Sequence, residues 1–290
     1  MVARSMFVLL WTMNLGAWAL PPGAAKPPDP QDIAAEAVER AGLPPGDIAL
    51  LDHPKYKWQH LQTAHFLLHH DQKMFAAKVA RMGEQFYDSI SADLPGLRDR
   101  VSPERSHLFI FRDPREWKAI LASTPGLDPW AVSFVRGNVM LLQETGASPA
   151  DKMDLLAHEM THLVFNRFLP VRLPLWLNEG LAEYYGEFAY RAAKGMGQSK
   201  ANAFRPLKSW MPLAELLEAS AYPAAPAEAS RFYATSKYLA GFLLLDQPRG
   251  KWEAFFARVL AGESASAALL DTYGWADVGA LEKAFARFAR

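Results

Sequence analysis

Two histidines with three residues between them lie in the run His158-Glu159-Met160-Thr161-His162. On a helix, positions i and i+4 share a face. Both imidazoles can therefore reach one metal ion, with Glu159 beside the water that such an ion would activate. A catalytic zinc takes three protein ligands and keeps a fourth position open. The run Leu175-Trp176-Leu177-Asn178-Glu179-Gly180-Leu181-Ala182-Glu183-Tyr184 offers Glu179 as the third. The chemistry implied is hydrolysis by a metal-activated water, with Glu159 as general base.

Such a site needs a rigid helix under it. Ser148, Pro149 and Asp151 read as an N-cap, a first-turn proline and a capping-box acid. Leu155, Leu156, Leu163 and Val164 supply apolar faces, and Pro170 stops the run. The expectation is a helix of about four turns carrying both histidines.

At these residues the chain resembles the gluzincin metallopeptidases, which bind zinc through two His and one Glu. Sixteen residues separate His162 from Glu179, a compact version of the family's spacing. Trp176-Leu177-Asn178-Glu179-Gly180 is similar to the second motif of the zinc aminopeptidases. From roughly Tyr56 to the C-terminus the chain is similar to the small bacterial peptidase MA-like domains. The resemblance implies one Zn2+ held by His158, His162 and Glu179, with Glu159 as general base. It also implies an acidic residue at Glu183 that accepts the outer N–H of a ligand imidazole; the plainer role for Glu183 is an exposed helix carboxylate. Tyr233, in Phe232-Tyr233-Ala234-Thr235-Ser236, resembles the aminopeptidase tyrosine that stabilises the oxyanion; the plainer role is ring packing. The aminopeptidase strand Gly-x-Met-Glu-Asn, which captures a free amine, is missing, and Gly137-Asn138-Val139-Met140 only echoes it. That departure favours internal cleavage.

Composition bounds the alternatives. Thirty-one basic and 31 acidic residues leave no net charge, so no basic face for nucleic acid is expected. The absence of cysteine excludes disulfides and thiolate metal sites and is compatible with an oxidising compartment. Arg4, the apolar stretch Met6 to Leu20 and Ala17-Trp18-Ala19 read as a secretory signal peptide over 1–19, hence a periplasmic or secreted protein without stable membrane insertion. The stretch is short for a spanning anchor.

The remaining pattern predicts an α+β, zincin-like fold: a small mixed sheet with backing helices and the active-site helix, then a mainly helical C-terminal lobe. Residues 20–55 read as linker and short helix, 56–170 as the N-terminal lobe and 171–290 as the C-terminal lobe. The expected elements are helices over 32–41, 73–94 and 116–123, strands over 63–70 and 107–112, and a hairpin of 131–134 with 138–143. Pro44-Pro45-Gly46 reads as a break and Ala221 to Ala229 as irregular. Further helices are expected over 211–220, 230–247, 252–260 and 277–290. The cleft is expected between the lobes, with Val139–Gln143 as a substrate-pairing edge strand or an ordinary core strand. His65, His69 and His70 cluster without an evident acidic partner, and His53, His60 and His107 read as surface or local hydrogen-bonding residues.

A peptide or protein substrate follows from the leading reading. Two others share the motif: a zinc-bearing envelope binding protein with weak catalysis, and an amide hydrolase acting on cell-wall peptides. The sequence leaves oligomeric state open.

Overall fold

Three apolar runs, Phe66–His70, Ser106–Phe111 and Val139–Gln143, are continuous rather than alternating, as strands buried on both faces are. In the computed structural model, which describes residues 29–92, 104–124, 127, 131–144, 153–169, 171–193 and 204–290, they form the centre of one sheet. The described residues fall into two compact units, one ending at Phe168 and the other beginning at Leu169. The architecture is α+β, as expected: a mixed sheet with its helices, then a mostly helical C-terminal region.

The first unit contains β1 (Gln31–Ile33), α1 (Pro45–Leu51), β2 (Gln59–Gln62), β3 (Phe66–His70), α2 (Lys73–Ala92), β4 (Ser106–Phe111), α3 (Pro114–Ser123), β5 (Ser133–Arg136), β6 (Val139–Gln143) and α4 (Met153–Phe168). The sheet order is β1-β2-β3-β4-β6-β5, parallel across β3, β4 and β6 and antiparallel elsewhere. Parallel neighbours need a crossover, and α2 makes the one from β3 to β4. Leu67, Phe109, Phe111, Val139 and Leu141 pack with Leu43, Leu51, Trp117 and Leu121 in one core. On the alternate positions Phe66, Leu68, Leu108, Ile110 and Met140 are equally buried. Helix α2 packs on β3 and α4, and α4 packs on β5 and β6.

Several local expectations are corrected. The helix expected over 32–41 is strand β1 followed by a single 3-10 turn at Ala35–Ala37. Alanine propensity there is outweighed by pairing of Gln31, Asp32 and Ile33 with Gln62, Leu61 and His60. The Pro44-Pro45-Gly46 break instead opens α1, with Pro45 at a position whose N–H has no helical partner to lose. The strand expected over 63–70 is present as β3 but starts at Phe66; β2 before it was not expected, and the turn between them is closed by Thr63 N–H to Phe66 O at 2.9 Å. Val139–Gln143 is not an edge. It lies between β4 and β5, so both its hydrogen-bonding sides are taken and β5 is the edge at that end. The expected β5–β6 hairpin is present, turning at Gly137 with φ +55°.

The second unit contains α5 (Leu175–Ala193), α6 (Leu213–Glu218), α7 (Pro226–Gly241), α8 (Arg249–Leu260), α9 (Ala265–Tyr273) and α10 (Val278–Ala289). Helix α7 starts inside the stretch read as irregular, again with Pro at a first-turn position, and passes into a π-helical turn at Phe242–Asp246. Helix α9 was not expected; its sequence carries little polar contrast, and Gly274 ends it in the left-handed conformation at φ +76°. A Cβ on Gly180 would meet the backbone of Ser236, so α5 and α7 touch main chain to main chain there. No helix among the described residues is long and apolar enough to cross a membrane. The expected signal segment 1–19 and the expected cap at Ser148, Pro149 and Asp151 lie outside the described residues.

Candidate metal centre

Along helix α4, Leu156, Ala157, Met160, Thr161, Leu163, Val164 and Phe165 are buried, while His158, Glu159 and His162 are only half-buried. Met160 anchors the run against α2, where a Cβ on Gly83 would lie 3.1 Å from its Cε. Thr161 turns its hydroxyl back to Ala157 O at 2.9 Å, satisfying a buried polar group within the helix. The C-terminal turn is fastened twice. Asn166 Nδ2 donates to Gly137 O at 2.8 Å, and an Arg167 NH donates to His65 O at 2.7 Å. The Arg167 guanidinium also lies 5.7 Å from the Tyr87 ring centre.

The two imidazoles meet through their Nε2 atoms. His158 Nε2 and His162 Nε2 are 3.1 Å apart. Two nitrogens bound tetrahedrally at the usual zinc–nitrogen length would be roughly 3.3 Å apart. Glu179 comes from the first turns of α5, which begins after Pro174; Leu177 and Asn178 N–H close on Pro174 O at 3.0 and 2.9 Å. Trp176, Leu177 and Leu181 bury that helix's apolar side. Glu179 is 3% exposed. One ligand atom from each of His158, His162 and Glu179 lies within 4.8 Å of the other two. Two imidazoles and a carboxylate form a donor set suited to a divalent metal, so this group can hold a metal ion.

Glu183 follows Glu179 by one helical turn on α5 and is half-buried. Tyr233 lies in α7, also half-buried, with its ring stacked on Tyr222 at 6.0 Å and 21°. Tyr222 is the residue that sequence reading missed. Its hydroxyl donates to Glu179 Oε1 at 2.6 Å. It sits in the Pro- and Ala-rich stretch between α6 and α7, where nothing in the local pattern marks it.

The other histidines depart from expectation in part, although exposed His53 accepts locally from Lys55 N–H at 3.2 Å as expected. His65 has an acidic partner after all: Glu84 of α2 accepts at 2.6 Å from His65 Nδ1 and at 2.9 Å from its backbone N–H. Burial would raise the Glu84 pKa, and these hydrogen bonds outweigh it and hold it low. Of the two expectations for His60 and His107, hydrogen bonding holds and surface exposure does not, since both are buried. They flank His69 at 2.9 Å on either side, Nδ1 to Nδ1 and Nδ1 to Nε2. A neutral ring has one N–H, so His69 donates to one neighbour and accepts from the other. Burial, with neighbouring positive charge or imidazole adding to it, lowers the pKa of His60 and His69; burial takes His107 down to about 4. The two nitrogens of His69 face opposite partners, and no second group of three such side chains converges among the described residues.

No protein-family model matches the chain. No curated protein matches it significantly either. The functional reading therefore rests on the site itself.

Proposed function

We propose that this protein is an exported, zinc-dependent peptidase that cuts peptide bonds internally. The observation that carries the reading is the convergence of His158, His162 and Glu179, with Glu159 next to the first of them. Two histidines and one glutamate are a donor set used by catalytic zinc, and three protein ligands leave a position for water or substrate. Bound zinc would supply a Lewis acid and an acidified water. With such an ion bound, Glu159 would serve as the general base, taking a proton from the attacking water and delivering it to the leaving amine. Tyr233 donates a hydrogen bond to the oxygen on which negative charge develops. Glu183 holds a ligand imidazole in one tautomer by accepting its outer N–H. Export follows from the charge and apolar pattern of the first residues.

The test compares wild type with Glu159→Gln, both zinc-loaded, on a diverse peptide mixture read by mass spectrometry. Internal cuts made by the wild type alone are expected. Trimming from the N-terminus would overturn the endopeptidase assignment. Equal inactivity of both, with one zinc bound to each, would overturn the general peptidase reading in favour of a narrow envelope substrate or a binding protein.

A further inference from the structure

We propose that Tyr222 is a positioning residue for the metal centre, holding Glu179 in the orientation that presents one carboxylate oxygen to the ion. The inference rests on the zinc reading above and assigns a role to a residue outside its motifs. A carboxylate that is 3% exposed loses most of its hydration and needs donors in return. Tyr222 supplies one at 2.6 Å, within the range of a phenol bound to an ionised carboxylate.

The phenol is itself placed by its surroundings. Tyr222 lies on the connection between α6 and α7, with its ring against two residues early in α7. It stacks on Tyr233 at 6.0 Å and 21° and meets Phe232 edge-on at 6.1 Å and 83°. Phe232 is fully buried, so one of these contacts belongs to the core of the unit. Glu179 sits on α5, one residue before Gly180, where α5 and α7 meet main chain to main chain. The Tyr222 hydroxyl thus ties a ring on the α6–α7 connection to the carboxylate carried by α5. A long side chain such as glutamate otherwise has several rotamers to lose on binding an ion. Engaging Oε1 in advance restricts the rotamers of Glu179 before any ion binds. Partners of this kind typically change metal affinity by about 10–100-fold when removed.

The residue is well suited to a clean test. Tyr222 is 52% exposed, and Tyr222→Phe keeps the ring that meets Phe232 and Tyr233 while deleting the donor. Zinc affinity of the full chain is measured by competition with a chelating indicator for wild type, Tyr222→Phe and Tyr233→Phe. The melting temperature of each metal-free protein is measured alongside. Tyr222→Phe should bind zinc about 10–100-fold more weakly, with unchanged metal-free melting and with Tyr233→Phe at wild-type affinity. Wild-type affinity in Tyr222→Phe overturns the inference and leaves the zinc reading standing. A matching loss in Tyr233→Phe, or a fall in metal-free melting of Tyr222→Phe that accompanies the loss, overturns it in favour of general packing. A wild type that binds no zinc overturns the zinc reading and this inference with it.

Discussion

Substituting Gly180 by alanine tests how the third candidate ligand is placed. A Cβ there would lie 2.9 Å from the carbonyl carbon of Ser236, closer still to its oxygen, and 3.4 Å from Ala240 Cβ. The opposing atoms are helix backbone, so no side-chain rotation relieves the contact and α5 must shift from α7. Overpacking against unyielding neighbours costs about 3 kcal/mol at the upper end of its usual range. Replacing a helical glycine returns about 1 kcal/mol of intrinsic propensity. The net loss is about 2 kcal/mol, or about 4–8 °C of melting temperature for a chain of this size. Gly250 in α8 is the control, since a Cβ there meets nothing within 4 Å; its alanine variant should gain about 0.4–1 kcal/mol. Thermal unfolding of the metal-free proteins, followed by circular dichroism, reads both. The Gly180 variant should also bind zinc more weakly, because Glu179 moves with α5. A Gly180→Ala protein that melts at or above wild type would refute the close approach.

Other expectations follow from the same site and sheet. His158→Ala, His162→Ala and Glu179→Ala should each reduce bound zinc from one ion per chain toward none by atomic absorption after mild chelation, whereas Glu159→Gln should keep it. Tyr233→Phe should retain zinc and lose about 100–1000-fold in kcat if its hydroxyl faces the developing oxyanion; unchanged kcat would remove it from the mechanism. The buried imidazoles set a pH dependence of stability. His60, His69 and His107 titrate below 6.5 in the folded protein, His107 at about 4. Between that value and the unfolded value near 6.5 the unfolded chain binds more protons, so stability is present above pH 6.5 and falls as pH drops toward 4. Urea midpoints of the metal-free protein at pH 7.5 and 5 should differ in that direction; equal midpoints would mean the cluster is hydrated or charged when folded.

The candidate histidine pair was legible in the sequence because its geometry is local. His158 and His162 converge through the helical repeat alone, and Asn178-Glu179-Gly180 carries both a donor and the small residue that α5 needs against α7. Long amphipathic helices such as α2 and α10 were legible for the same reason. What escaped depends on distant pairing. Residues 31–33 form a strand only because β2 offers an edge, and β6 became interior only because β5 folded back beside it. Glu84 reaches His65 from across the β3–α2 connection, and Tyr222 reaches Glu179 from 43 residues away. Neither leaves a periodic trace. Proline misled twice, at Pro45 and Pro226, where it starts helices rather than breaking them.

The proposed peptidase needs a zinc held by two imidazoles and one carboxylate, with one position left open. X-ray absorption at the zinc edge of the protein, purified with its metal, tests it most directly. One zinc per chain is expected, bound by two histidine nitrogens at about 2.0–2.1 Å and carboxylate and water oxygens at about 2.0–2.2 Å, with the histidine signal lost in a His158→Ala, His162→Ala double variant. A protein with no stoichiometric zinc, or a zinc whose histidine signal survives that double variant, would contradict it.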